Sequence, residues 1–173
     1  MNEVTTLVPS LLAVAALVAV SALFSSSESA LFSLTDDWVT GLAADGESTD
    51  ERALDALLDD PHRLLVTILV GNNVVNVAIS SIVTLLVVEV VPSGVAVVVA
   101  TLAATVLVLV FGEIVPKAYG LGHAETWSLR VARPLALVER ALGPVVTVFD
   151  ESTRWLTGLV GGDQGIEEPY LDE

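Results

Sequence analysis

Residues 108–118 read VLVFGEIVPKA. Glu113 and Lys117 stand four apart with Pro116 between them, and the 19 residues from Gly94 to Gly112 carry no charge. A helix of about 20 apolar residues crosses the ~30 Å hydrocarbon core of a bilayer. The stretch is therefore the end of a membrane span that closes on an acid, a helix breaker and a base. Its Val and Ile content would favour a strand in water. Lipid, however, admits only helices and closed barrels, and the period-2 alternation of a barrel strand is missing. This reading sets the fold class as all-α.

Two further spans lie upstream. The expected membrane segments are about 7–34, 64–90 and 94–118, and the second includes 25 uncharged residues from Leu64 to Val88. No Lys or Arg precedes the first apolar run, so it lacks the charged start of a signal peptide and reads as a retained helix. Between the first two spans, residues 36–60 are polar. Ser48 and Glu51 have capping-box spacing, Leu54, Leu57 and Leu58 form a stripe, and Pro61 ends it, which predicts a short amphipathic helix on the membrane surface. Residues 124–158 mix Trp127, Leu135 and Val138 with Arg130, Arg133, Glu139 and Arg140. They read as an interfacial helix, or as a pair broken around Pro134 and Pro144, with Arg heads at the phosphates. Trp38, Trp127 and Trp155 read as interface anchors. Residues 1–160 are thus expected as one transmembrane domain, and the Gly-rich 161–173 as an acidic linker.

Of the 173 residues 53% are hydrophobic and the mean hydropathy is +0.74, yet the net charge is −15 from 22 acidic and 7 basic residues. The charges are segregated, most acids falling in 36–60 and 150–173. Such acidity suggests a halophilic source; the acid run 45–60 itself reads as a solvated helix face. With no basic patch, nucleic acid is not an expected partner. No cysteine is present, which excludes disulfides, thiolate metal sites and thiol catalysis. All seven basic residues fall in 36–63 or from the far end of the third span onward, so the positive-inside rule puts the N-terminus outside and the C-terminal part in the cytoplasm of a multi-pass cell-membrane protein.

Polar residues inside a membrane are costly and mark function by default. Ser21, Ser25 and Ser29 share a helix face, as do Asn72 and Asn76, with Asn73 beside them. Pro116 has no amide hydrogen for the carbonyl of Gly112, next to Glu113. Hydroxyls, amide oxygens, one carboxylate and a loosened carbonyl are the ligands of Mg²⁺, Ca²⁺ or Na⁺ rather than of zinc or copper. The candidate metal-binding residues are Ser21, Ser25, Asn72, Asn73, Asn76, Gly112 and Glu113. Plainer roles stand beside these. Serines bond back to their own helix, asparagines glue helices together, Glu28 faces the surface, and Glu113–Lys117 forms an i,i+4 ion pair.

Three stretches, SALFSSSESALFSL (21–34), GNNVVN (71–76) and FGEIVPKAYG (111–120), resemble the signature stretches of the transmembrane domain of the cyclin M / CorC family of magnesium transport proteins. The resemblance covers residues 1 to about 160. It implies three membrane helices with a juxtamembrane helical belt, assembled as a homodimer with the N-terminus outside. It further implies one Mg²⁺ per subunit, stripped of water and held by Ser25 or Ser21, Asn72 or a neighbouring Asn, Glu113, and a carbonyl near Gly112 or Gly120. The family exports Mg²⁺ in exchange for Na⁺, so Na⁺ is a second expected ion. Family members usually continue into a pair of cytoplasmic CBS domains, which this sequence lacks, as a truncated or minimal member would.

The expected function is Na⁺-coupled Mg²⁺ efflux by alternating access, with a passive divalent-cation channel or a non-transporting membrane scaffold as alternatives. The expected partners are the bilayer and a second copy, with no small-molecule substrate. An intramembrane serine hydrolase is disfavoured, since no His lies within a span near a Ser.

Overall fold

A computed structural model describes residues 2–45 and 48–160, and every described element is helical. Helix α1 runs Asn2–Leu31, α2 Asp36–Asp45, α3 Thr49–Leu58, α4 Pro61–Val90 and α5 Ser93–Leu107. A π-helical segment, Val108–Ile114, leads from α5 into α6, Val115–Gly122, and α7 spans Ala124–Val160. Three stretches are long and apolar enough to cross a membrane: Leu7–Leu31, Pro61–Val90 and Ser93–Gly122.

Local chemistry sets the ends. At α3 the Ser48 hydroxyl accepts the Glu51 amide at 3.1 Å while the Glu51 carboxylate accepts the Ser48 amide at 2.9 Å. At α4 Asp60 accepts the Arg63 amide at 3.0 Å, and Pro61 takes the first helical position, where no amide donor is required. Val91 turns extended and Pro92 opens α5, so α4 and α5 form a tight hairpin of spans.

Packing between spans relies on small residues, because lipid supplies no hydrophobic force between helices. Ala96, Ala100 and Ala104 form a buried ridge at every fourth residue of α5, and Ala104 meets Val14, Ile79 and Val83. Towards the other end, Phe24 and Leu31 of α1, Leu54 and Leu57 of α3, Leu64 and Ile68 of α4, and Val131 and Leu135 of α7 make one apolar core. Ion pairs Arg63–Glu139 at 2.6 Å and Arg133–Asp50 at 2.5 Å tie α7 to α4 and to the α3 end.

Several boundaries differ from expectation. The first span ends at Leu31 instead of 34, and the third runs to Gly122 instead of 118. The 36–60 region holds two helices, α2 and α3. The alternative of a broken pair at Pro134 and Pro144 is not what forms: α7 is one helix of 37 residues. Both prolines are exposed, and the opposite face, with Ser128, Val131, Ala132 and Leu135, is buried, so packing carries the helix through the missing amide bonds. Trp127 is no simple anchor. Its indole donates to the Ser26 hydroxyl at 3.0 Å, and its ring meets Tyr119 edge-on. The 161–173 linker and the side chain of Trp155 lie outside the described residues.

At the crossing of α6 over α1 the backbones come so close that a Cβ on Gly120 would strike the Ser26 carbonyl. Gly120→Ala is expected to cost about 1–3 kcal/mol, read as a lowered thermal midpoint of the purified protein. Gly122→Ala, whose Cβ meets open space, should leave the midpoint unchanged.

Candidate cation site

The centre of the site is the hydroxyl of Ser21, fully buried on α1. Its Oγ lies 3.0 Å from Oδ1 of Asn72 and 2.8 Å from Oδ1 of Asn76. The spacing of these two asparagines, one helical turn, places both amides on the face of α4 that meets α1. Asn76 in turn donates its Nδ2 to Oε1 of Glu113 at 3.1 Å. That bond orients the amide, leaving its oxygen for Ser21. A serine hydroxyl has one proton, and two amide oxygens compete for it. Three oxygens thus crowd together with one hydrogen among them, and a carboxylate follows at the far side of Asn76.

The third span enters the site through the π segment, which contains Gly112 and Glu113. The residue pattern predicted a helix broken by Pro116. Instead the chain widens into π geometry just before the proline, the Val115 amide reaching back to the Val110 carbonyl, and continues unbroken to Gly122. The strain of a missing amide is absorbed upstream, in the segment that carries the acid. Segments of this kind recur at functional sites. Gly112 is buried against Ser21: a Cβ there would stand 2.7 Å from the serine Oγ. Only a residue without a side chain lets the π segment approach α1 this closely.

Of the seven expected residues, Ser21, Asn72, Asn76, Gly112 and Glu113 come together. Ser25 lies one turn below Ser21, fully buried, and its Oγ has no hydrogen-bond partner. An orphaned buried hydroxyl at that position is a ready additional oxygen. Asn73 departs from the expectation. One residue on from Asn72 turns the side chain about 100° away, so it is exposed and its Nδ2 bonds the Leu69 carbonyl at 2.8 Å. Ser26 and Ser27 donate to carbonyls of their own helix, the plain role for a membrane serine. The i,i+4 pair of Glu113 and Lys117 is replaced by another: Lys117 Nζ reaches Glu28 on α1 at 3.1 Å, both side chains partly exposed. Residue patterns missed Thr67 and Ser128, buried hydroxyls without partners, because single hydroxyls carry no spacing signal. Among the described residues no three His, Cys, Asp or Glu side chains gather, so this oxygen cluster stands as a one-carboxylate site.

The family model of the cyclin M transmembrane N-terminal domain matches residues 11–173. The chain is 35% identical over 142 residues to a UPF0053 protein of Haemophilus influenzae, covering 82% of this chain and 33% of that protein. It is 32% identical over 143 residues, with the same coverage, to the UPF0053 inner membrane protein YfjD of Escherichia coli. A putative chloroplastic DUF21 domain-containing protein of Arabidopsis thaliana is 32% identical over 164 residues, 94% of this chain and 24% of that protein. The chain thus spans a third or less of the length of these relatives.

The Gly112–Ser21 contact generates a paired test. Gly112→Ala is expected to destabilise by about 1–3 kcal/mol. Ser21→Ala in the same chain should recover part of that loss, since it removes the atom that the new methyl meets. Thermal or denaturant unfolding of the single and double variants in detergent reads the coupling.

Proposed function

The chain belongs to the cyclin M transmembrane N-terminal domain family, and we propose that it moves Mg²⁺ across the bilayer through the Ser21–Asn72–Asn76–Glu113 cluster. Family membership is consistent with a role related to divalent-cation transport. The observation that carries the residue-level reading is the shortage of protons at Ser21: one hydroxyl hydrogen serves two amide oxygens at 2.8 and 3.0 Å, with a carboxylate behind them. In a low-dielectric medium, oxygens packed this way repel, and a small hard cation relieves the repulsion while neutralising Glu113. Neutral amides and hydroxyls supply most of the ligands, so the ion is held without an excess of charge that would trap it.

Transport then needs the site to open to either side. Pro116 and the π segment make the third span the one whose hydrogen-bond pattern changes most readily. A shift between π and α geometry turns Glu113 relative to Asn76, and so couples ion occupancy to helix packing. We assign the net direction as efflux driven by entering Na⁺, the N-terminus as external, and the working unit as a homodimer.

Magnesium at 100 times its dissociation constant stabilises a one-site protein by about 2.7 kcal/mol. Wild type should show a Mg²⁺-dependent rise in thermal midpoint. Glu113→Gln and Asn76→Ala should abolish it, and Asn73→Ala should keep it. In liposomes, Mg²⁺ flux that requires a Na⁺ gradient agrees with exchange. Fast flux without the gradient points to a channel, and no flux to a scaffold.

A further inference from the structure

The outer half of α4 carries polar side chains that the cation site does not use. On an i,i+4 count, Ser80 and Thr84 continue the row of Asn72 and Asn76. Ser81 belongs to the adjacent row, which runs Asn73, Val77, Ser81, Leu85 and Glu89. The two rows line an open groove of 570 Å³ that extends from Asn73 and Asn76 to Thr84 and Leu85. Each hydroxyl donates its proton inward, to its own helix: Ser80 to the Asn76 carbonyl at 2.9 Å, Ser81 to that of Val77 at 2.8 Å, and Thr84 to that of Ser80 at 2.7 Å. A hydroxyl whose proton is spent in this way offers only lone pairs to the groove. The wall is therefore a ladder of acceptors.

Its charge agrees. No Lys or Arg occurs from Leu64 to Pro116, and the exposed Glu89 stands one turn beyond Leu85 on the same row. The groove's inner end is Asn76, whose amide holds Glu113. The strip sets these oxygens among Val77 and Leu85, so this wall is mixed in character where the neighbouring faces of the span are apolar. With no fixed positive charge along it, the strip favours a cation carrying its water over an anion.

We propose that this groove is the outer access leg of the cation path, a water-filled strip along which a hydrated divalent cation passes between Glu89 and Asn76, roughly 20 Å at a rise of about 1.5 Å per residue. The inference rests on the reading of the Asn76–Glu113 cluster as the ion site. It adds Ser80, Ser81 and Thr84 as the residues that keep the ion solvated on its way there.

The absence of cysteine makes the test direct. Ser81→Cys and Thr84→Cys are placed singly in the full chain, beside Leu102→Cys on the exposed apolar face of α5. Val77→Cys, on the same groove wall, serves if either hydroxyl proves essential for folding. Each variant is reconstituted in liposomes and treated from the outside with a membrane-impermeant cationic methanethiosulfonate, which reacts with thiolates and hence with thiols in water. The groove positions are expected to react roughly tenfold faster than Leu102→Cys, or more. Equal rates would place the face in lipid and overturn the proposal. Protection of the groove thiols, with a disulfide forming between two copies through Ser81→Cys, would overturn it in favour of a second chain covering the face. Failure of the ion-site reading shows differently, as Mg²⁺ stabilisation that survives Glu113→Gln.

Discussion

A carboxylate within a bilayer needs a partner, and the bond from Asn76 to Glu113 is the interaction around which the three spans are arranged. Leaving a charge or a strong acceptor unpaired in an apolar medium costs several kcal/mol. Exchanging helix contacts for lipid contacts costs far less, because both are apolar. The register of α4 against the third span is thus specified by one amide–carboxylate contact more sharply than by apolar packing. Ser21 extends the same constraint to α1. The close approaches at Gly112 and Gly120, and the alanine ridge of α5, let the backbones come near enough for these short side chains to meet. Polar centre and small-residue packing are one solution to one problem.

Beneath that centre the spans also bury an apolar core against α3 and α7. Phe24, Leu31, Leu54, Leu57, Leu64, Ile68, Val131 and Leu135 form a core that would suit a water-soluble bundle. The ion pairs around it are partly exposed, and pairs of that kind contribute about 0–1 kcal/mol, so they steer α7 more than they hold it. The Lys117–Glu28 pair has a further effect. It draws the ammonium towards α1 and away from the acid one turn earlier on its own helix. Glu113 is left with an amide, and not a fixed cation, as its close partner.

The three spans were legible because uncharged runs of this length have one physical meaning. The meeting of Asn72 and Asn76 with Ser21 was legible because turn spacing fixes a face, although which face met which helix was not. Asn73 was misjudged by treating three neighbouring asparagines as a cluster, when adjacent residues on a helix point about 100° apart. Pro116 signalled a disturbed helix, but a proline does not say whether the chain will break or widen, since that depends on what packs against it. Whether α7 would run through Pro134 and Pro144 or break there stayed open for the same reason: tertiary burial of one face outweighs a local penalty that the sequence shows plainly. The row Asn72, Asn76, Ser80, Thr84 was open to view throughout. Its hydroxyls drew no notice because a serine or threonine in a membrane helix is unremarkable one at a time.

The π segment has a consequence for chain length. A wide turn houses residues that a regular α-helix would have to place further along, so the helix after Val108–Ile114 is out of phase with the helix before it. Losing a single residue there would let the third span relax to even α geometry. The helix beyond the cut would keep nearly its present phase, because the wide turn is what absorbed the extra residue, and the acid inside that turn would be the group displaced from the asparagine. For this architecture the count of residues between Leu107 and Pro116 is as much a part of the ion's binding pocket as their identities.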